Sequence, residues 1–372
     1  MSPTENYTID SFLEKVSANP YEIFQQDEQR PWLKVYLMIA NDDWQEIFQS
    51  YNLKKMGEMY QFKMHYGSDN EDATDYYVYE LEKGLLMFFT MSKREEYNKT
   101  LERLVKRNKG ITSMWLPPKM FEEIINFIVS TYEANIYAFT SRRAWSSQHP
   151  AKIRHDFSRL IHYSGDDAGH SLKEMKEMYG VLPSSVDLNI DGNKIRITND
   201  GLFLIRNIDR RMLRIIEEVI EKLIVEQRRL RYVSKQVSQK LTPLIIGGNK
   251  FNIVSLMSGK ILFSAKLDTY MIDKLFDSFQ DEEYGHTEEG LQLPNFSFMD
   301  TNVKEGSVTY SATVTDEDKG TIFGISGNEQ NMILIPKHNT TFESFINFYR
   351  LVNEMIDDSS TMQLFSEGIV NR

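Results

Sequence analysis

Histidine and aspartate crowd one short stretch of the chain. Four of its seven histidines, His149, His155, His162 and His170, lie within 22 residues, alongside Asp156, Asp166 and Asp167. Imidazole titrates near neutral pH and ligates divalent metals, so the cluster offers acid–base work or a metal centre. The best-spaced ligand set is His162, Asp166, Asp167 and His170, joined by the loop Ser164-Gly165-Asp166-Asp167-Ala168-Gly169. Such a centre suits a metal-dependent phosphodiester hydrolase. Against it, a strand over 156–163 places Asp156 and His162 on one face and His155 and Arg159 on the other. A plainer reading has Asp167 capping the next helix, Gly165 turning the chain, and the histidines lying on the surface of a basic patch.

Basic residues offer the second chemistry. Arg142, Arg143, Lys152, Arg154 and Arg159 interleave with Trp145 and Phe157, and Arg228, Arg229 and Arg231 follow later. Cations neutralise phosphates while aromatic rings stack on bases, so this composition suits nucleic acid. The competing reading is a set of solvated helix faces paired with acids, as Glu95/Lys99 and Glu218/Lys222 allow. The overall net charge of −11 hides a pattern. Residues 1–90 carry 7 Lys/Arg against 16 Asp/Glu, residues 91–240 carry 27 against 19, and residues 241–372 carry 9 against 19. A basic middle between acidic flanks either presents a positive face to an anionic partner or pairs with its own flanks.

Other motifs dissolve on inspection. Asp187-Leu188-Asn189-Ile190-Asp191-Gly192 opens like a calcium loop, but Thr198 stands where a bidentate Glu belongs, and a hairpin turn at Asp191-Gly192 explains the same residues. Gly324-Ile325-Ser326-Gly327 is one residue short of a nucleophile elbow and reads as a turn. The chain has no phosphate-binding loop, dinucleotide fingerprint or His-Glu-x-x-His. It has no Cys, which excludes disulfides, thiolate nucleophiles and Cys-ligated zinc or iron–sulfur centres.

The elements that must position these residues follow a local grammar of strand, Gly-containing turn, strand and amphipathic helix. It recurs at Tyr76–Thr90, Lys194–Arg206, Phe251–Phe263 and Thr321–Pro336, each with a helix after it. Ser92 with Glu95 and Thr340 with Glu343 fit capping boxes. Tyr179-Gly180 followed by Pro183-Ser184-Ser185 marks the candidate domain boundary. The expected fold class is α+β, built from antiparallel hairpin-plus-helix units in two lobes, 1–183 and 184–372, with a long helix near 209–240 in the second.

The expected function is that of a non-enzymatic binding protein whose basic middle engages nucleic acid or an acidic protein partner. The phosphodiester hydrolase is the alternative, so enzymatic activity stays open. No run approaches the roughly 18 apolar residues of a membrane span, and residues 1–17 lack a signal-peptide core. A cytoplasmic protein without cofactor is expected. Its setting is a homo-oligomer or a larger complex of mobile-element or antiviral-defence type.

Overall fold

The computed structural model of the chain describes residues 6–24, 32–67, 72–143, 150–154, 159–206, 211–212, 214–219, 240–246, 249–255, 258–277, 294–304, 308–337 and 339–365. Nearly continuous apolar runs such as Leu33–Ala40 and Leu85–Thr90 form strands buried on both faces. The first sheet holds eleven strands: β1 (Leu33–Ala40), β2 (Lys54–Met56), β3 (Met59–Tyr66), β4 (Asp72–Glu82), β5 (Leu85–Thr90), β6 (Ile111–Ser113), β7 (Asn135–Arg143), β8 (Arg159–Ser164), β9 (Leu182–Ile190), β10 (Asn193–Thr198) and β11 (Leu202–Ile205). Their order is β2-β3-β4-β5-β1-β11-β10-β9-β7-β8, with β6 also on β1. Next come the two-stranded pair β12 (Lys240–Ile246) and β13 (Asn249–Ser255). The last sheet has six strands: β14 (Ser258–Leu262), β15 (Phe296–Lys304), β16 (Thr309–Asp316), β17 (Thr321–Asn328), β18 (Asn331–Pro336) and β19 (Thr361–Phe365). Both large sheets are antiparallel, and the fold is α+β.

The chain forms two compact units, residues 1–142 with 160–228, and residues 143–159 with 229–372. Residue 183, the expected boundary, lies inside β9, which pairs with β7 and β10. The helix stop before it is real, since Gly180 takes φ 63°. The Pro-Ser-Ser after it enters the sheet instead of forming a linker.

The six-stranded sheet repeats the connectivity of β1–β6. In the first module, β1 leads to a short helix (Trp44–Phe48), the meander of β2 to β5, a helical segment over 94–107 and then β6, in the sheet order β2-β3-β4-β5-β1-β6. In the second, β14 leads to the helix Thr269–Asp277, the meander of β15 to β18, the helix Phe342–Met355 and β19, in the order β15-β16-β17-β18-β14-β19. Each pair of helices buries one side of its sheet. In the first module, Phe48, Leu101, Leu104 and Val105 pack with Tyr36, Phe62, Val78 and Phe88. In the second, Phe276 meets Phe298 at 5.5 Å, and Phe348 meets Phe296 and Phe323 at 5.3 and 5.2 Å. Aromatic edge-to-face contacts of this kind add to the burial energy.

Three of the four expected hairpins form, β4–β5, β10–β11 and β17–β18, each followed by helix. The third does not. β13 pairs with β12, and β14 with β18 and β19. The turn of the fourth falls at Glu329-Gln330, because the Asn328 side chain accepts from Gln330 N and Asn331 N; Ser326 and Gly327 lie in β17. The caps also shift. Lys93 N donates to Glu96 Oε2 at 2.8 Å, so Ser92 is not the cap. Thr340 Oγ1 donates to the Ile322 carbonyl, and Thr341 stands at the N-cap. Of the helix expected over 209–240, residues 211–212 and 214–219 are helical, Lys240 instead begins β12, and the rest lies outside the described residues.

Candidate nucleic-acid interface

The helical segment over 94–107 covers its side of the first sheet as far as β1, where Tyr97 stacks on Tyr36 with ring centroids 4.0 Å apart. Register carries the same side onward. Tyr36 stands opposite Leu202, Leu204 opposite Arg196, and Arg196 opposite Asp187. The alternate residues Ile195, Ile197, Phe203 and Ile205 are fully buried the other way, because successive strand side chains point to opposite faces. β10 and β11 therefore keep a half-open side of Lys194, Arg196, Leu202, Leu204 and Arg206. β7 extends it through Tyr137, Thr140 and Arg142, and β8 through Leu160 and His162, whose Nδ1 lies 2.9 Å from Thr140 Oγ1. Four gaps of about 4.8 Å make this face about 19 Å wide.

Its charges are arranged around rings. Lys194 Nζ lies 4.7 Å from the Tyr137 ring centroid, and the Arg206 guanidinium 5.9 Å from that of Trp32. Arg196 grips Asp187 through both carboxylate oxygens, Nε to Oδ1 and the second contact at 2.6 Å. That hydrogen bonding raises the Arg196 pKa against the opposing effect of burial. Burial pushes the Tyr137 phenol up and Asp187 reinforces it, while Arg196 and Arg206 oppose. Arg142, Lys194, Arg196 and Arg206 share this side with Asp187, paired to Arg196, and with Asp200, which accepts from Thr198 Oγ1. Elsewhere in this unit a cavity of about 330 Å³ is lined by Asp10, Glu14 and Glu217 with Arg214.

Of the cations expected to bind, Arg142 lies on the open face. Arg143 is 4% exposed, so it offers no surface charge; alternation along β7 turns it inward. Arg159 is half-buried and lies on the side of β8 opposite His162. Lys152 and Arg154 are exposed in the segment 150–154. Arg228, Arg229 and Arg231 lie outside the described residues.

The expected metal set does not meet at one point. His162 bonds Thr140, while His170 Nε2 lies 3.1 Å from Glu174 Oε1 one helical turn on. Asp167 accepts from the Tyr163 hydroxyl at 2.7 Å, which lowers its pKa, and from Ser171 at 3.4 Å. Asp166 is exposed. Among the described residues no three His, Asp or Glu side chains gather to hold a metal ion. The calcium-like stretch is a turn, with Asp191 at φ 51°, Gly192 at φ 85° and Asn189 Oδ1 accepting from Gly192 N.

Lys194, Arg196 and Tyr137 were not among the candidates drawn from the sequence. The Lys-Ile-Arg-Ile alternation at 194–197 held the signal, because period two puts both cations on one face.

Residues 119–199, which include β7 to β10, match the model of a family described as the AF_0896_M family middle domain. An uncharacterised protein of Archaeoglobus fulgidus is 23% identical over 292 residues, 74% of this chain and 73% of that protein. No solved structure matches the chain. Among the described residues, no helix is long and apolar enough to cross a membrane.

Proposed function

We propose that the chain is a non-enzymatic binding protein that takes single-stranded nucleic acid on the open side of β7 to β11. The observation that carries this reading is the seating of Lys194 on Tyr137 and of Arg206 beside Trp32, with Arg142 and Arg196 on the same face. Cations beside rings hold phosphates where unpaired bases can stack, a sequence-tolerant mode. A duplex buries its π-faces and would use only the cations.

The helical segment over 94–107, on the same side of the sheet, supports the reading. Lys93, Lys99, Arg103, Arg107 and Lys109 are exposed on it or at its ends, and they form no ion pair among the described residues. They extend the positive surface beside the face and would raise the rate of encounter with a polyanion.

Fluorescence anisotropy with labelled 20-base single-stranded DNA, single-stranded RNA and duplex DNA tests the proposal. Stacking on one ring is worth about 1–3 kcal/mol, so Tyr137→Ala should weaken single-strand binding by about 5- to 150-fold while barely changing duplex binding. Equal loss on both, or no binding to any of the three at low salt, would overturn it.

A further inference from the structure

The register of the first sheet lays the open face out in rows that cross the strands. Asp187 stands opposite Arg196, Arg196 opposite Leu204, and Leu204 opposite Lys34 of β1. Lys34 is engaged, its Nζ donating to the Ser92 carbonyl. The next row on the same side starts with Asn189 opposite Lys194. Arg206 N donates to the Lys194 carbonyl at 3.1 Å, and the Arg206 guanidinium reaches Trp32, two residues before Lys34. Residues two apart on a strand lie about 7 Å from each other, so the two rows form the sides of one track.

The track has a ring at each end. Tyr137 is the extra residue of a bulge in β7, since Ile136 pairs with Leu188 and Ala138 with Asp187. It sits at the β7 end of both rows, where Lys194 Nζ lies 4.7 Å from its ring centroid. Trp32 closes the other end, four strand gaps or about 19 Å away. Lys194, Arg196 and Arg206 lie between the rings. Along the strands the face runs instead to the turn of β10 and β11, where the Asp200 carboxylate accepts from Thr198 Oγ1 and repels phosphate.

We infer that this face takes an unpaired run of about four nucleotides lying across the strands, its end bases on Tyr137 and Trp32 and its backbone beside Lys194, Arg196 and Arg206. The inference rests on the single-strand reading of the open face and adds a length, a direction and a second stacking residue. Nucleotides in a duplex strand rise about 3.4 Å each, and an unstacked strand extends to about twice that. The three steps between four nucleotides then cover about 20 Å, which matches the separation of the rings. A trinucleotide covers about 14 Å and cannot seat both ends.

The test is anisotropy competition with oligothymidylates and oligouridylates of two to eight nucleotides. It is run at about 0.15 M salt, where exposed charges more than about 8 Å apart are screened. Affinity should rise by about 5-fold or more from three nucleotides to four, as the second ring engages. From four to eight it should rise only by the number of registers, about five. An abasic residue at either end of the tetranucleotide should weaken binding by about 5- to 150-fold, and one at either middle position by about 2-fold or less. Trp32→Ala should remove the step from three to four, and Trp32→Phe should keep it. Circular dichroism melting checks that both variants hold the fold. A rise from four to eight far beyond the register count, equal loss at end and middle positions, or a Trp32→Ala chain that binds the tetranucleotide as the parent does would overturn this inference and leave single-strand binding standing. A parent chain that binds no strand of any length removes the reading beneath it, and this inference with it.

Discussion

Arg196 has two tasks on the open face, holding Asp187 and offering positive charge, and stability measurements isolate the first. The Asp187 side chain is 8% exposed and that of Arg196 49%. Breaking a wholly buried pair by removing one partner costs about 3–5 kcal/mol, and an exposed pair about 0–1 kcal/mol. Arg196→Ala strands a carboxylate that water reaches only in part, so its cost lies between the two, at about 2 kcal/mol. For a unit of this size each kcal/mol moves Tm by about 2–4 °C, so melting should fall by about 4–8 °C. Adding Asp187→Asn removes the stranded charge and leaves an amide within reach of the Tyr137 hydroxyl. The double variant should therefore lie within about 1 kcal/mol of the parent. Urea unfolding of parent, both single variants and the double variant gives the coupling energy directly. The reasoning fails if Arg196→Ala stays within about 0.5 kcal/mol of the parent, or if the double variant is as unstable as the two singles summed.

Two glycines of β17 make a contrasting pair. A Cβ at Gly327 would lie 2.5 Å from both the Asn331 carbonyl and the Tyr310 hydroxyl, so Gly327→Ala should cost about 2 kcal/mol or more. Gly324→Ala meets only ordinary contacts and should stay within about 1 kcal/mol of the parent by the same urea assay. Phe12→Ala removes a fully buried ring from the cover of the first sheet and should cost about 3–5 kcal/mol by thermal or urea unfolding. Burial raises the pKa of Asp316, as it does those of Asp75 and Asp357. The folded state then holds protons that the unfolded state releases. The stability from this source is full below the ordinary Asp pKa and is lost as pH rises through the raised values. Asp316→Asn should accordingly gain most over the parent near neutral pH, with the gain vanishing toward about pH 4; a Tm difference independent of pH contradicts the burial argument.

Much of the first sheet is legible locally because its hairpins are local. Asn199-Asp200-Gly201 and Glu82-Lys83-Gly84 turn where they stand, and Pro118–Tyr132 carries its helix in its own periodicity. The third hairpin misleads for a packing reason. Ser258-Gly259 has turn composition, but Gly259 lies in β14 against Leu334, where a Cβ would approach its side chain to 3.2 Å. That glycine serves close approach across the sheet. The pairings of β1 with β5 and of β14 with β18 join segments separated by dozens of residues, and nothing local specifies them. The repeat they create is invisible in a chain where the two modules share pattern and few residues. On the open face, clustering along the sequence was a poor guide to clustering in space. Arg142 and Arg143 are neighbours in the chain and point to opposite sides of β7, whereas Arg206 and Trp32 meet only because β11 pairs with β1.

The salt dependence of single-strand binding tests the central claim most directly. Each phosphate neutralised on a single strand contributes about −0.7 to the slope of log K against log salt. Changing Arg142, Lys194 and Arg206 together to Ala should therefore flatten the slope by about 2 and weaken binding most at low salt. Circular dichroism melting of the variant checks that its fold is intact. A parent chain that binds no single strand at low salt, or a triple variant with an unchanged slope, would contradict the assignment of this face.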